Sequence, residues 1–171
     1  LLWKGITRFI AQNPHYRYLF GPVSMSNDYS HRSKDLLVHF FERNNFDSEI
    51  SRMVSPRRNF QRKRFQSKDD RILRSSIRGL DDLSALIGEI EFDQEGMPML
   101  FKHYMRLGAK VLSFNVDPKF GHSLDALIRL DLPRAERKLI QNYMGREAFD
   151  EYAQFHRVSS PLRTERGFVT T

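Results

Sequence analysis

The chain has 171 residues, 40% hydrophobic and 12% aromatic, enough for a folded domain with its own core and too apolar for a disordered chain. No apolar run reaches the roughly 18 residues of a membrane-spanning helix, and the absence of cysteine excludes disulfides and thiol chemistry and points to a cytosolic setting. The net charge of +7 favours an anionic partner, and the whole excess lies in 55–78, where nine Lys and Arg stand against two Asp.

Leu2, Trp3, Ile6, Phe9 and Ile10 recur at helical spacing, and Asn13-Pro14 ends that run. Lys4 and Arg8 interrupt it and no small-residue cleavage site follows, so it does not read as a signal peptide. The helical pattern is already running at Leu1, which reads as part of something longer. Residues 16–26 are aromatic and β-branched and predict a strand, with Tyr16, Tyr18 and Phe20 on one face and Arg17 and Leu19 on the other. Ser30 is placed to cap a helix over about 31–43, with Leu36, Leu37, Phe40 and Phe41 as its apolar stripe and Asn44-Asn45 as its stop.

Residues 47–68 lack periodicity and read as a partly mobile loop. A helical pattern over about 69–78 follows, then another in which Asp81 or Asp82 caps Leu83, Leu86, Ile87 and Ile90. FDQEG (92–96) predicts a turn. Met97–Leu107 predicts a helix with Pro98 in its first turn and Gly108 as its C-cap. Two strands, 109–116 and 123–132, joined by DPKFGH, predict antiparallel neighbours. Pro133 opens a helix to Met144, Gly145 caps it, and 146–156 form the last helix. The expected architecture is α/β, a small mixed sheet flanked by helices. It is one domain over 1–157, with a basic insertion at about 47–78 and a disordered tail over 158–171.

Three blocks resemble a known family: LWKGITRFIAQNPHYRYLFGPVSMSNDYS, MLFKHYMRLGAKVLSFNVDPKFGHSLDALIRLDL and YMGREAFDEYAQFH. They are similar to the hemolysin group of GNAT-related N-acyltransferases, which includes the ornithine N-acyltransferases that make lyso-ornithine lipid. The resemblance implies the C-terminal part of a GNAT-like fold. Residues 16–26 would be its fifth strand, which splays from the fourth to make the acyl cleft, Met97–Leu107 the following helix, and 109–116 with 123–132 the closing pair. The first four strands and the Glu-x-x-Arg-Ser turn of the family would precede Leu1. The outer edge of 16–26 is then expected to be unpaired, and an exposed edge invites pairing, including with a second copy.

The implied activity is transfer of a fatty acyl group from a carrier thioester, on acyl carrier protein or coenzyme A, to an amine, with no bound cofactor. Gly21-Pro22 would weaken the ladder where the sheet splays. Ser24, Ser26, Asn27 and Tyr29 would then line the cleft, with Asn27 and Tyr29 as catalytic candidates and the serines contacting substrate. The plainer alternative is a bent strand whose serines and Asn27 cap the next helix. Tyr104 is either the proton donor to the leaving thiol or a half-buried aromatic. Asp117 and Asp125 either hold the ammonium of the acceptor, or start a turn and face outward from a strand. Six histidines (15, 31, 39, 103, 122, 156) show no metal-ligand spacing, so no metal site is expected.

RRNFQRKRF (57–65) interleaves Phe60 and Phe65 with Arg57, Arg58, Arg62, Lys63 and Arg64. It reads as a solvated loop, as a docking patch for an acidic acyl carrier protein or an anionic membrane on its cytoplasmic face, or, ranked last, as a nucleic-acid surface. A non-catalytic basic binding module is therefore the alternative to the enzyme.

Overall fold

A computed structural model describes residues 2–62, 77–91 and 96–156, which fall into two compact units: 2–17 with 132–156, and 18–131. Residues 69–76 of the helical pattern expected at about 69–78, most of the FDQEG turn, Lys63, Arg64, Phe65 and the C-terminal tail lie outside the described residues.

In the first unit, α1 (Leu2–Gln12) buries Thr7 and Ile10, and the Thr7 hydroxyl donates to the Trp3 carbonyl at 2.9 Å. Its end is set as expected, with the Asn13 amide donating to the Phe9 carbonyl. Phe9 departs from the expected stripe: it is 53% exposed and leans on the Tyr16 ring at 5.5 Å. The helix expected to open at Pro133 starts later. Residues 132–134 form a 3-10 turn, because the Leu132 N–H bonds to the Arg17 carbonyl and Ala135 closes back on Leu132. The helix proper, α5, is Arg137–Met144; Gly145 at φ +91° ends it and α6 (Arg146–Phe155) follows. α6 buries Phe149 and Tyr152, whose phenol donates to the Tyr16 carbonyl at 2.6 Å, while His156 Nε2 donates to the Pro14 carbonyl.

The second unit is built on β1 (Tyr18–Met25), β2 (Lys110–Asp117) and β3 (Ser123–Asp131), in the order β1-β3-β2. Both pairings are antiparallel, so the expected mixed sheet is instead antiparallel; among the described residues a parallel contact survives as an isolated bridge between Phe46 and Val111. The physical reason is that β3 inserts between β1 and β2, which run the same way and share no ladder. The β2–β3 hairpin forms as the DPKFGH signal predicts, with Gly121 and His122 both at positive φ.

The β1 ladder runs in register from Tyr18↔Asp131 to Met25↔Leu124, straight through Gly21-Pro22. The irregularity lies instead on β2, a bulge between Val111 and Ser113. Pro22 is tolerated because β1 is an edge strand: among the described residues only β3 pairs with it. Leu124, Ala126, Ile128 and Leu130 of β3 face the core, together with Val23 and Met25 of β1. α2 (His31–Asn44) packs on β2, α4 (Met99–Arg106) packs on β1, and α3 (Leu80–Ile90) packs on α2. α2 buries more than its predicted stripe, since Ser33, Lys34 and Asp35 are buried along with the leucines and phenylalanines. Gly79, not Asp81 or Asp82, occupies the N-cap of α3; the Asp82 carboxylate reaches back to the Arg78 N–H instead.

Candidate functional site

The turn between β1 and α2 is held by its own polar side chains. The Ser26 hydroxyl donates to Asp28 Oδ2 at 2.6 Å and accepts from the Asp28 N–H, and the Tyr29 N–H closes onto the Ser26 carbonyl. Ser30 then caps α2, its hydroxyl accepting from the Ser33 N–H at 3.2 Å. The Glu91 carboxylate, delivered by the end of α3, accepts from both the N–H and the hydroxyl of Ser30, at 2.9 and 2.5 Å. An anion there also complements the partial positive charge of a helix N-terminus. Burial opposes ionisation of Glu91. Hydrogen bonds from Ser30 and Ser33 and the charge of Lys34 outweigh it and hold the carboxyl below its usual range.

The same turn is the floor of a cavity of about 580 Å³. Asn27, Tyr29 and Lys34 line one side of it. The segment Arg58–Gln61 forms a second wall, tied to β2 by the Val116 N–H on the Arg58 carbonyl and by the Arg58 N–H on Asn115 Oδ1. His122 and Leu124 of the β2–β3 hairpin line it as well. His31 stacks on Phe60 at 4.9 Å and donates from Nε2 to the Gln61 carbonyl at 3.0 Å. A second cavity of about 490 Å³ lies on the other side of Asn59–Gln61, walled by Val38, Phe46, Val54, Leu112 and Phe114.

Lys34 is the unusual group. It is 5% exposed, and its Nζ donates to Asn27 Oδ1 at 2.7 Å. Burial lowers its pKa, and the nearby charges of Asp28 and Glu91 offset that only in part. Tyr29 moves the other way: burial, then the charge of Glu91, raise its pKa, and the phenol donates to the Gly96 carbonyl at 3.0 Å. The cavity therefore holds an amine whose pKa is lowered beside an amide and a phenol whose pKa is raised.

Of the residues singled out in the sequence, Asn27, Tyr29 and Arg58 come together here. Ser26 serves the turn. Ser24 is exposed on the opposite face of the sheet, in register with Asp125, whose Oδ1 accepts from the Ser123 hydroxyl at 3.0 Å. Asp117 starts the hairpin turn through the Lys119 N–H at 2.8 Å. Tyr104 lies on α4 with its ring 6.0 Å from that of His103, away from the cavity walls. The basic cluster divides: Arg57 is exposed, Arg58 lines the cavity, and Arg62 pairs with Glu42 at 2.6 Å and lies 3.8 Å from the buried Asp35.

Lys34 and Glu91 were missed. A signal for Lys34 existed, because it sits three and four residues before Leu37 and Val38 and therefore under the apolar stripe of α2. Glu91 had none, being 61 residues from the serine it serves. Among the described residues no group of His, Asp or Glu is arranged to hold a metal ion, and no helix is long and apolar enough to cross a membrane. No protein-family model, curated protein or solved structure matches the chain.

Proposed function

We propose that this chain is the C-terminal part of a GNAT-like N-acyltransferase, moving a fatty acyl group from a carrier thioester to an amine. The observation that carries the reading is that Asn27 and Tyr29 lie on one cavity with the buried amine of Lys34. Attack on a thioester requires an acceptor nitrogen free of its extra proton and a donor for the oxygen that becomes negative. Lys34, in its neutral form, takes the proton from the acceptor's ammonium. The amide NH₂ of Asn27, whose carbonyl is already engaged by Lys34, donates to the thioester oxygen. Tyr29 acts as a positioning residue, holding the turn to Gly96. That only β3 pairs with β1 among the described residues supports the same reading, in which a fourth strand would take the other edge. Arg57 and Arg58, beside the cavity, are suited to docking an acidic carrier protein.

The test is transfer of label from radiolabelled acyl carrier protein to ornithine, by this chain and by one extended upstream of Leu1. Transfer by the longer chain that is lost on Asn27→Ala and Lys34→Met supports the reading. Carrier binding with no transfer to any amine by either chain overturns it in favour of a docking module.

A further inference from the structure

We propose that Lys34 is itself an acyl acceptor: a thioester seated in the Asn27–Tyr29 cavity, with no amine present to receive it, leaves its acyl group on Lys34 Nζ as an amide. The inference rests on the acyl-transfer reading of this cavity. It goes further in assigning the chain a covalent modification site of its own.

Three features point to Lys34 rather than to another lysine. Lys34 lines a cavity large enough for a ligand although the residue is only 5% exposed, so a molecule seated in the cavity lies against this side chain. The nitrogen is held in place by Asn27 Oδ1. Burial lowers its pKa from the usual 10.5, which makes the nucleophilic free amine easier to reach, whereas Lys4, Lys119 and Lys138 are exposed. The charged and titratable groups around it are Asp28 and Glu91, which favour the ammonium, and Arg58, His31 and His122 in the cavity walls.

The step balances without a co-reactant. The lone pair of Nζ attacks the thioester carbonyl carbon, and a C–N bond forms. The C–S bond then breaks, the sulfur leaves with the bonding pair and takes up the proton that nitrogen sheds, and a thiol departs. The product amide keeps one N–H, so the hydrogen bond to Asn27 survives, and the acyl chain occupies the cavity. The site thereby closes itself when donor is abundant and acceptor is scarce.

The experiment incubates the protein with octanoyl-coenzyme A, with and without ornithine, and maps the acylated residues by mass spectrometry of proteolytic peptides. Without ornithine, the octanoyl group is expected on Lys34 ahead of Lys4, Lys119 and Lys138; Lys34→Arg should lose that peptide signal and keep the weaker background. Because the mapping is done on the unaltered protein, it does not depend on the variant folding. Label confined to exposed lysines overturns the inference. Octanoyl-ornithine formed when ornithine is present, together with Lys34 unmodified when ornithine is absent, overturns it while leaving the acyltransferase reading intact. Acylated Lys34 with no acylated amine supports the modification site and counts against the transferase.

Discussion

Lys34 Nζ donates to Asn27 Oδ1 at 2.7 Å, joining the first turn of α2 to the turn that leaves β1. A lysine this deep is costly to keep charged, and one hydrogen bond to a neutral amide does not repay the lost hydration. Where such a group lines a cavity it is a candidate for chemistry, because its reactivity and its cost to stability have the same origin.

The pH dependence of stability should reveal it. The folded protein holds the pKa of Lys34 below the ordinary value of 10.5, so between that lowered value and 10.5 the unfolded chain binds more protons than the native one. Stability contributed by Lys34 therefore rises with pH across that window. Tyr29 works in the opposite sense above 10.0, where the native phenol keeps a proton that the unfolded chain has lost. Urea unfolding below pH 10.0 should show a rising alkaline limb in the parent protein and a flatter one in Lys34→Met.

Glu91 governs the acid side. Its folded pKa lies below the usual 4.5, so its contribution is complete above that value and is lost as pH falls through the lower native one. Glu91→Gln weakens two bonds to Ser30 and should cost about 2 kcal/mol at neutral pH, while making the acid limb of the urea midpoint shallower.

Two neighbouring glycines should respond in opposite directions. Gly96 has φ +82°, and a Cβ there would lie 2.5 Å from the Ser84 carbonyl oxygen, so Gly96→Ala should destabilise by about 3 kcal/mol. Gly88 lies inside α3, and its added Cβ would meet Gly96 at an ordinary 3.5 Å. Gly88→Ala should stabilise by up to about 1 kcal/mol through helix propensity. Chemical denaturation of the two variants reads both effects.

Arg129 of β3 pairs with Asp47 at 2.6 Å, both side chains largely buried, and its guanidinium sits 4.9 Å from the centre of the Tyr18 ring. Removing the cation leaves a largely buried carboxylate that keeps the Ile50 N–H at 3.0 Å but has lost its counter-charge. Arg129→Met should therefore cost about 3 kcal/mol, measured by the shift in the urea midpoint.

What was legible in the sequence was local. The spacing of Ile6 and Ile10, the Ser30 cap, the Pro98 and Gly108 bounds of α4 and the DPKFGH hairpin each follow from residues within a few positions of one another, and each forms nearly as read. The order β1-β3-β2 was not legible, since it pairs Tyr18 with Asp131 across most of the chain and no short-range pattern encodes it. Asn27 and Tyr29 were expected on a cleft, but the other walls of the cavity, Arg58–Gln61 and His122, come from distant segments and no local pattern joins them to it. Lys34 went unseen because a lysine on a helix is ordinarily solvated, and only its place beneath Leu37 and Val38 argued otherwise.

The central claim is that the Asn27–Lys34 cavity carries acyl transfer. The most direct measurement is the initial rate of acyl transfer from acyl carrier protein to ornithine in the upstream-extended chain, compared among parent, Asn27→Ala, Lys34→Met and the surface variant Phe20→Ser on the opposite face of the sheet. The expected result is a loss on the order of a hundredfold or more in the first two, as for removal of a general base or an oxyanion donor, and a near-parental rate in the third. Equal rates in all four proteins, each shown to be folded, would contradict it.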